Sequence, residues 1–216
     1  RTAEALPYLV TVERQTGSAN FSMLLNGFGQ LSDAQRSELL RAINTVATEF
    51  PQNTRLLLTQ ALINAELRQY NQALDDLAKL FNLEPEQPQA ILLESRILLE
   101  QKADKPYARL QRVLQEHPDD NELRIQYARL LTVTDMSAAR EQFEILSEQS
   151  PQDGDLLFSL ALINREIGDS AAASAYLRQA IAHGKRVDEA YYYLGRMAED
   201  NNEPDEAIAN YMQVRV

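Results

Sequence analysis

The sequence predicts an all-α stack of helix hairpins, and three observations carry that prediction. Four prolines, Pro51, Pro85, Pro118 and Pro151, recur at spacings of 34, 33 and 33 residues. A column of small residues, Ala61, Ser95, Ala128, Ala161 and Gly195, recurs at spacings of 34, 33, 33 and 34. The composition is rich in Ala, Leu, Gln and Glu and holds only 7 Gly and 8 Pro, which favours helix. A fixed period of this length marks a repeat array, in which each unit stacks on its neighbours to bury an apolar face.

Further columns keep the same step. A second small column holds Ala73, Ala139, Ala173 and Ala207, with Pro106 at the intervening place. A large column runs Leu77, Leu110, Phe143, Leu177 and Tyr211. One tetrapeptide recurs verbatim, as Ala61-Leu62-Ile63-Asn64 and Ala161-Leu162-Ile163-Asn164. Each period reads as two helices. Around residues 154–187 the first helix covers roughly Asp155 to Ile167 and closes at Gly168, which accepts the left-handed cap conformation. The second runs from about Ser170 to His183 and closes at Gly184. Pro151 ends the helix before it, since proline lacks the N–H needed to continue. Short connections make neighbouring helices antiparallel, and helices approach closely only where both carry small side chains.

The small, small, large, proline order at this period resembles the tetratricopeptide repeat. Five units fit that pattern, about 54–87, 88–120, 121–153, 154–187 and a shortened 188–216. A degenerate unit at about 20–53 keeps Gly27, Ile43, Val46 and Pro51 but places Leu39 in a small slot. Asn64 and Asn164 depart from the family by standing where an aromatic is common. Pro106 is expected to delay the second helix of its unit to near Lys105–Tyr107. Within residues 1–19 the run Leu6–Val12 suits a helix or a strand, and a helix left over from a preceding unit is favoured. The expected fold is therefore a single α-solenoid over 1–216, and the resemblance implies a right-handed superhelix of antiparallel pairs whose first helices line a concave groove.

Stepping around each first helix from its small residue picks out the side chains on that inner face. The residue one after it and the residue three before it lie four apart, on one side. The first set reads Leu62, Arg96, Arg129, Leu162 and Arg196, and the second Leu58, Leu92, Ile125, Phe158 and Tyr192. Arg165, one turn beyond Leu162, extends the arginine row. The two sets describe an apolar floor with an arginine ladder inside an acidic chain. Guanidinium groups bind carboxylates bidentately and stack on planar groups, so the groove suits a protein or peptide segment bearing apolar and acidic side chains. Against this stands a plainer reading, in which Leu58, Leu92 and Ile125 are packing and the arginines pair with neighbouring acids. Apolar residues at Leu58, Leu92, Ile125 and Phe158 also exclude the polar, basic clamp with which some family members grip chaperone tails.

Charge and composition narrow the partner class. Lys and Arg total 21 against 32 Asp and Glu, a formal net charge of -11. Such a surface repels nucleic acid and anionic lipid. The chain has no Cys, and no apolar run approaches the ~18 residues of a membrane span. Its two histidines, His117 and His183, stand at expected helix C-termini, where positive charge is favourable. No phosphate loop, paired-histidine metal motif or nucleophile elbow occurs, so neither catalytic residues nor a metal nor a cofactor is expected. The acidic stretch from Glu199 to Glu206 lacks calcium-loop spacing and reads as a solvated turn. Of Tyr191, Tyr192 and Tyr193, at most two face the groove, and Tyr191 packs inward.

The expected function is that of a scaffold or adaptor which holds another protein and catalyses nothing. The alternatives are a docking arm of a larger enzyme and a self-assembling structural repeat, since uncapped terminal repeats expose apolar faces that favour self-association. The chain begins at Arg1 and stops at Val216 inside a helical pattern, so it reads as a fragment. Tyr193-Leu194-Gly195-Arg196, Asp205-Glu206-Ala207-Ile208 and Tyr211 resemble the repeats of Gram-negative envelope proteins, including lipoproteins that deliver substrates to proteases. That resemblance implies a bacterial periplasmic or outer-membrane-anchored parent, with cytoplasm as the alternative.

Overall fold

The computed structural model describes residues 5–215. Among them are twelve α-helices and no strand. The helices are α1 (Leu6–Thr16), α2 (Asp33–Glu49), α3 (Thr54–Glu66), α4 (Tyr70–Leu83), α5 (Pro88–Glu100), α6 (Ala108–Glu116), α7 (Asn121–Leu131), α8 (Met136–Gln149), α9 (Gly154–Glu166), α10 (Ser170–Ala182), α11 (Val187–Asp200) and α12 (Pro204–Tyr211). They form two compact units, Arg1–Val113 and Leu114–Val216. In the first, α3 pairs with α4; in the second, α7 pairs with α8, α9 with α10 and α11 with α12. The expected all-α fold is thus observed as consecutive helix pairs.

The proline column has a local cause. Pro51, Pro85, Pro118 and Pro151 each stand two residues beyond the last residue of a helix, and each precedes a side chain placed to cap the next. Asn53 accepts from the Leu56 N–H at 2.9 Å, Gln87 from that of Ala90, Asp120 from that of Leu123 at 2.9 Å and Asp153 from that of Leu156 at 3.2 Å. Each such cap stabilises its helix by about 0.5–2 kcal/mol. Pro106 delays α6 to Ala108, one residue later than the sequence suggests, and its hydrogen-bond ladder starts from the Tyr107 carbonyl, which accepts from the Gln111 N–H at 2.8 Å.

Four first helices end in one and the same turn. The residue after the cap stands in the left-handed region, with φ of 57° at Arg68, 55° at Lys102, 85° at Gly168 and 60° at Asn202. The next N–H reaches back five residues, from Gln69 to the Asn64 carbonyl, Ala103 to Leu98, Asp169 to Asn164 and Glu203 to Ala198, at 2.8–2.9 Å. These bonds satisfy carbonyls that the helix leaves open. After α7 the corresponding turn contains no left-handed residue, and Asp135 N–H returns to the Leu131 carbonyl at 2.7 Å.

The small columns lie in the cores. Ala61, Ser95, Ala128 and Ala161 are at most 1% exposed, as are Ala73, Ala139 and Ala173, and Leu77, Leu110 and Leu177 are equally sealed. In the second unit Leu157, Phe158, Ala161, Ala173, Leu177, Ala180, Ala190, Leu194 and Met197 form one cluster. In the first, α1 is a helix, and its Leu6 and Val10 join Phe21, Leu24, Phe28, Leu39, Leu40 and Ile43. Residues 21–30, where a repeat would place its first helix, instead make two short 3-10 turns, Phe21–Leu25 and Phe28–Gln30, separated by Gly27 at φ 77°. These turns are slimmer than a helix, which leaves room for Leu39, wholly buried in a slot that is small elsewhere. Arg14 on α1 donates to both Glu49 oxygens of α2 at 2.6 and 2.8 Å, and this hydrogen bonding holds the Glu49 carboxyl below its ordinary range.

Gly195 shows why its column is small. A Cβ built on it would lie 2.4 Å from Cε1 of Tyr211, the large-column residue of α12. Gly195→Ala gains roughly 1 kcal/mol of helix propensity, but overpacking costs about 1–3 kcal/mol. The ring must move, so the expected result is a net loss of stability in urea titration together with earlier exchange of α12 amides. An unchanged or raised midpoint would show that Tyr211 yields freely.

Candidate functional site

The first unit contributes four of the side chains expected on the inner face. Leu58 is buried and Leu62 half-buried on α3, and both line a cleft of about 400 Å³ whose walls include Ser22, Arg55, Gln87 and Gln89. Leu92 is half-buried and Arg96 exposed on α5, outside the lining of that cleft. Arg96 makes no ion pair with a described residue. The plainer reading of the arginines as satisfied neighbours therefore does not hold at this position.

The second unit contributes the rest, and here the surroundings differ along the row. On α7, Ile125 is half-buried, while Arg129 is exposed and also lacks an acidic partner among the described residues. On α9, Leu162 is half-buried and Phe158 has no exposed surface at all. Phe158 is sealed by Arg186, whose guanidinium lies 4.0 Å over its ring while donating to Glu189 at 2.6 Å. Tyr193 meets Phe158 edge-on at 5.8 Å, Tyr192 meets Tyr193 at 5.6 Å, and Tyr192 reaches Tyr211 at 6.1 Å. Arg165 lies 4.7 Å over the Tyr193 ring and donates to Glu166 at 2.8 Å. Arg196, 53% exposed at its side chain, stands 3.5 Å from Glu199. The structure thus gathers Tyr192 and Arg196 with Leu162 and Arg165 into a patch on α9 and α11, while Phe158, expected on its floor, is buried beneath it. Tyr192 is its most open ring, at 46% exposure.

The patch combines aromatic faces with guanidinium charge. Aromatic pairs and cations over rings each contribute about 0.5–1.5 kcal/mol. Tyr211 closes one side. Its hydroxyl donates to Glu199 at 2.7 Å, and burial, followed by that carboxylate, pushes it up to about 12. The folded value lies above the ~10 of a free tyrosine. The stabilisation is therefore whole below pH ~10 and lost as pH climbs through about 12. In a spectrophotometric titration of the nine tyrosines, one is expected to ionise last, and Tyr211→Phe should remove that final step. If the last step persists in the variant, the assignment is wrong.

Sequence reasoning missed several contacts. Arg186 over Phe158 comes from the loop before α11, outside any repeat column. Arg109 of α6 lies 3.7 Å over Phe81 and donates to Glu94 at 2.8 Å, a cross-helix tie that only the polar residue before Ser95 could have signalled. Among the described residues no group of three His, Asp or Glu side chains is placed to hold a metal ion. Among the described residues no helix is long and apolar enough to cross a membrane.

The comparison with known families bears on these repeats directly. Residues 129–181 and 165–214 match the model of the tetratricopeptide repeat. Residues 129–214 thus match the tetratricopeptide repeat. A TPR repeat-containing protein of Pseudomonas aeruginosa is 31% identical over 133 residues, which make up 59% of this chain and only 22% of that relative. Among solved structures, a tetratricopeptide repeat protein from Parabacteroides merdae superposes over 99% of this chain and 85% of its own, with a TM-score of 0.54 at 18% identity. Yeast Tom70 matches over 90% of this chain and 41% of its own, with a TM-score of 0.59 at 19% identity. YrrB, described as a TPR protein with an unusual peptide-binding site, matches over 84% of this chain and 93% of its own, at 0.50 and 19%. At these identities the tetratricopeptide likeness speaks for the fold.

Proposed function

We propose that this tetratricopeptide-repeat chain is a non-catalytic scaffold that binds a segment of a partner protein on the inner faces of its first helices. The observation that carries the reading is the set of arginines. Arg96 and Arg129 stand exposed without an acidic neighbour among the described residues, in a chain of net charge -11, at the same place in successive repeats. An unpaired cation surrounded by a negative field is a strong attractor for a partner's carboxylate. Leu58, Leu62 and Leu92 in the first unit, and Ile125, Leu162, Tyr192, Arg165 and Arg196 in the second, supply apolar and planar contacts. Phe158 takes part by supporting Tyr193 from beneath. The description of YrrB as having a peptide-binding site is consistent with this use of the fold.

Crosslinked capture with the full-length protein tests it, comparing the wild type with Arg96→Glu, Arg129→Glu and Arg196→Glu combined. Unaltered capture by a folded triple variant would overturn the reading. A docking arm within a larger enzyme is the second reading, favoured by the length of the P. aeruginosa relative, of which the matched region is 22%. Activity assays on the intact parent separate the two. An envelope location of that parent belongs to the same proposal, and fractionation of cells decides it against the cytoplasm.

A further inference from the structure

A second set of polar side chains sits on the opposite flank of α3, and the groove makes no use of it. Gln60 and Asn64, one turn apart, are 6% and 4% exposed. Gln60 donates through Nε2 to Asn44 Oδ1 of α2 at 2.8 Å. Asn64 donates through Nδ2 to Asp76 Oδ2 of α4 at 2.9 Å. Asp76 is itself 6% exposed, and its other oxygen accepts from Lys79 Nζ at 2.9 Å. All five side chains line a cleft of about 460 Å³ between α2, α3 and α4, with Gln72 and Asp75 at its rim.

The donors and acceptors of this network do not balance. Gln60 Oε1 is buried and has no hydrogen-bond partner, a situation that costs about 1–3 kcal/mol. The fold does not require the arrangement. At the same register in the fourth repeat, Leu160 and Tyr176 stand where Gln60 and Asp76 stand here, and Asn164 simply donates to the Leu160 carbonyl at 2.8 Å. A helix pair of this type therefore packs without a buried carboxylate or a buried glutamine, although Asn164 Oδ1 is likewise left without a partner there. Polar groups kept at a cost, lining an open cleft, point to a guest.

We propose that this cleft is a second binding site, which takes an arginine side chain of a partner protein. Its character is acceptor-rich and acidic: Asp75, Asp76 and Gln60, whose Oε1 has no partner, line it together with the single ammonium of Lys79. That ammonium shows how a guest cation is held. Lys79, whose side chain is 63% exposed, rests on Asp76 from outside and can swing away. A guanidinium carries five N–H donors in a planar fork, so one group can satisfy a carboxylate and an amide carbonyl together. An incoming ammonium could only repeat what Lys79 already does. This inference stands whether or not the groove binds its own segment.

The test is an NMR titration of the chain with the blocked tripeptide acetyl-Gly-Arg-Gly-amide, following the side-chain NH₂ signals of Asn44, Gln60 and Asn64. Saturable shifts are expected with the arginine peptide. Asp76→Asn, which keeps an acceptor for Asn64, should weaken binding about tenfold or more. Gln60→Leu, the residue type found in the fourth repeat, should keep the fold and lose the site, while Lys79→Met should tighten it. The triple arginine-to-glutamate variant should bind as the wild type does, so failure of the groove reading and failure of this one are distinguishable. Absent shifts, or equal shifts with a citrulline or lysine peptide, would overturn the proposal, as would undiminished binding by a folded Asp76→Asn protein.

Discussion

Phe158→Ala is expected to lower the stability of the second unit by about 3–5 kcal/mol, the usual cost of emptying a large aromatic site in a core. Phe158 has no exposed surface and anchors a cluster drawn from α9, α10 and α11. The vacancy cannot refill easily, because its neighbours Ala161, Ala173 and Ala180 are already the smallest side chains that a helix favours. Tyr193 loses its edge-on partner and Arg186 the ring beneath its guanidinium, which adds to the loss. Urea unfolding followed by circular dichroism measures the effect. A change below ~1 kcal/mol would mean that the ring is packed more loosely than its burial implies. Phe158→Leu offers the graded comparison, with an intermediate loss expected.

Reversing Arg96, Arg129 and Arg196 together should weaken partner capture on the order of 100-fold or more, since each reversal replaces an attraction by a repulsion at a contact worth ~1–2 kcal/mol. Stability should scarcely change. Arg96 and Arg129 make no ion pairs with described residues, and the Arg196–Glu199 contact at 3.5 Å is an exposed one that contributes little. The effect should also grow as salt is lowered, because exposed charges act over the Debye length. Capture measured at two ionic strengths separates electrostatic recognition from damage to the fold. Loss of capture that is independent of salt would speak for damage.

Much of the fold could be read from the columns because the same packing problem recurs in each hairpin. Ala73, Ala139 and Ala173 are small because a neighbouring helix lies against them, and Gly195 is smaller still because Tyr211 lies on it. The prolines were legible for a similar reason, each marking the corner before a capped helix. Residues 21–30 were not. A degenerate repeat keeps its apolar content, here Phe21, Leu24 and Phe28, even when its backbone shortens to 3-10 turns, and hydrophobic spacing alone does not distinguish the two. The residues expected on the inner face were chosen by register, but register says nothing about what covers them. Leu58 and Phe158 hold the same position as Tyr192, yet they are 8% and 0% exposed against 46%. Phe158 is closed by Arg186, whose backbone stands at φ 49° in a loop that no column reaches. Chance juxtapositions between loop and helix of this sort are three-dimensional facts without a sequence period.

The left-handed corners at Arg68, Lys102, Gly168 and Asn202 share one set of main-chain bonds while carrying four different residues. Glycine fits such a corner freely, asparagine nearly so, and the longer side chains accept a penalty of roughly 1 kcal/mol. Because amide and carbonyl groups alone fasten the bend, the side chain that emerges there is released from architectural duty. Mutation can repaint this edge of each hairpin from cationic to neutral without redrawing the scaffold. The margin of a repeat protein can in this way drift toward new neighbours while its interior stays the same.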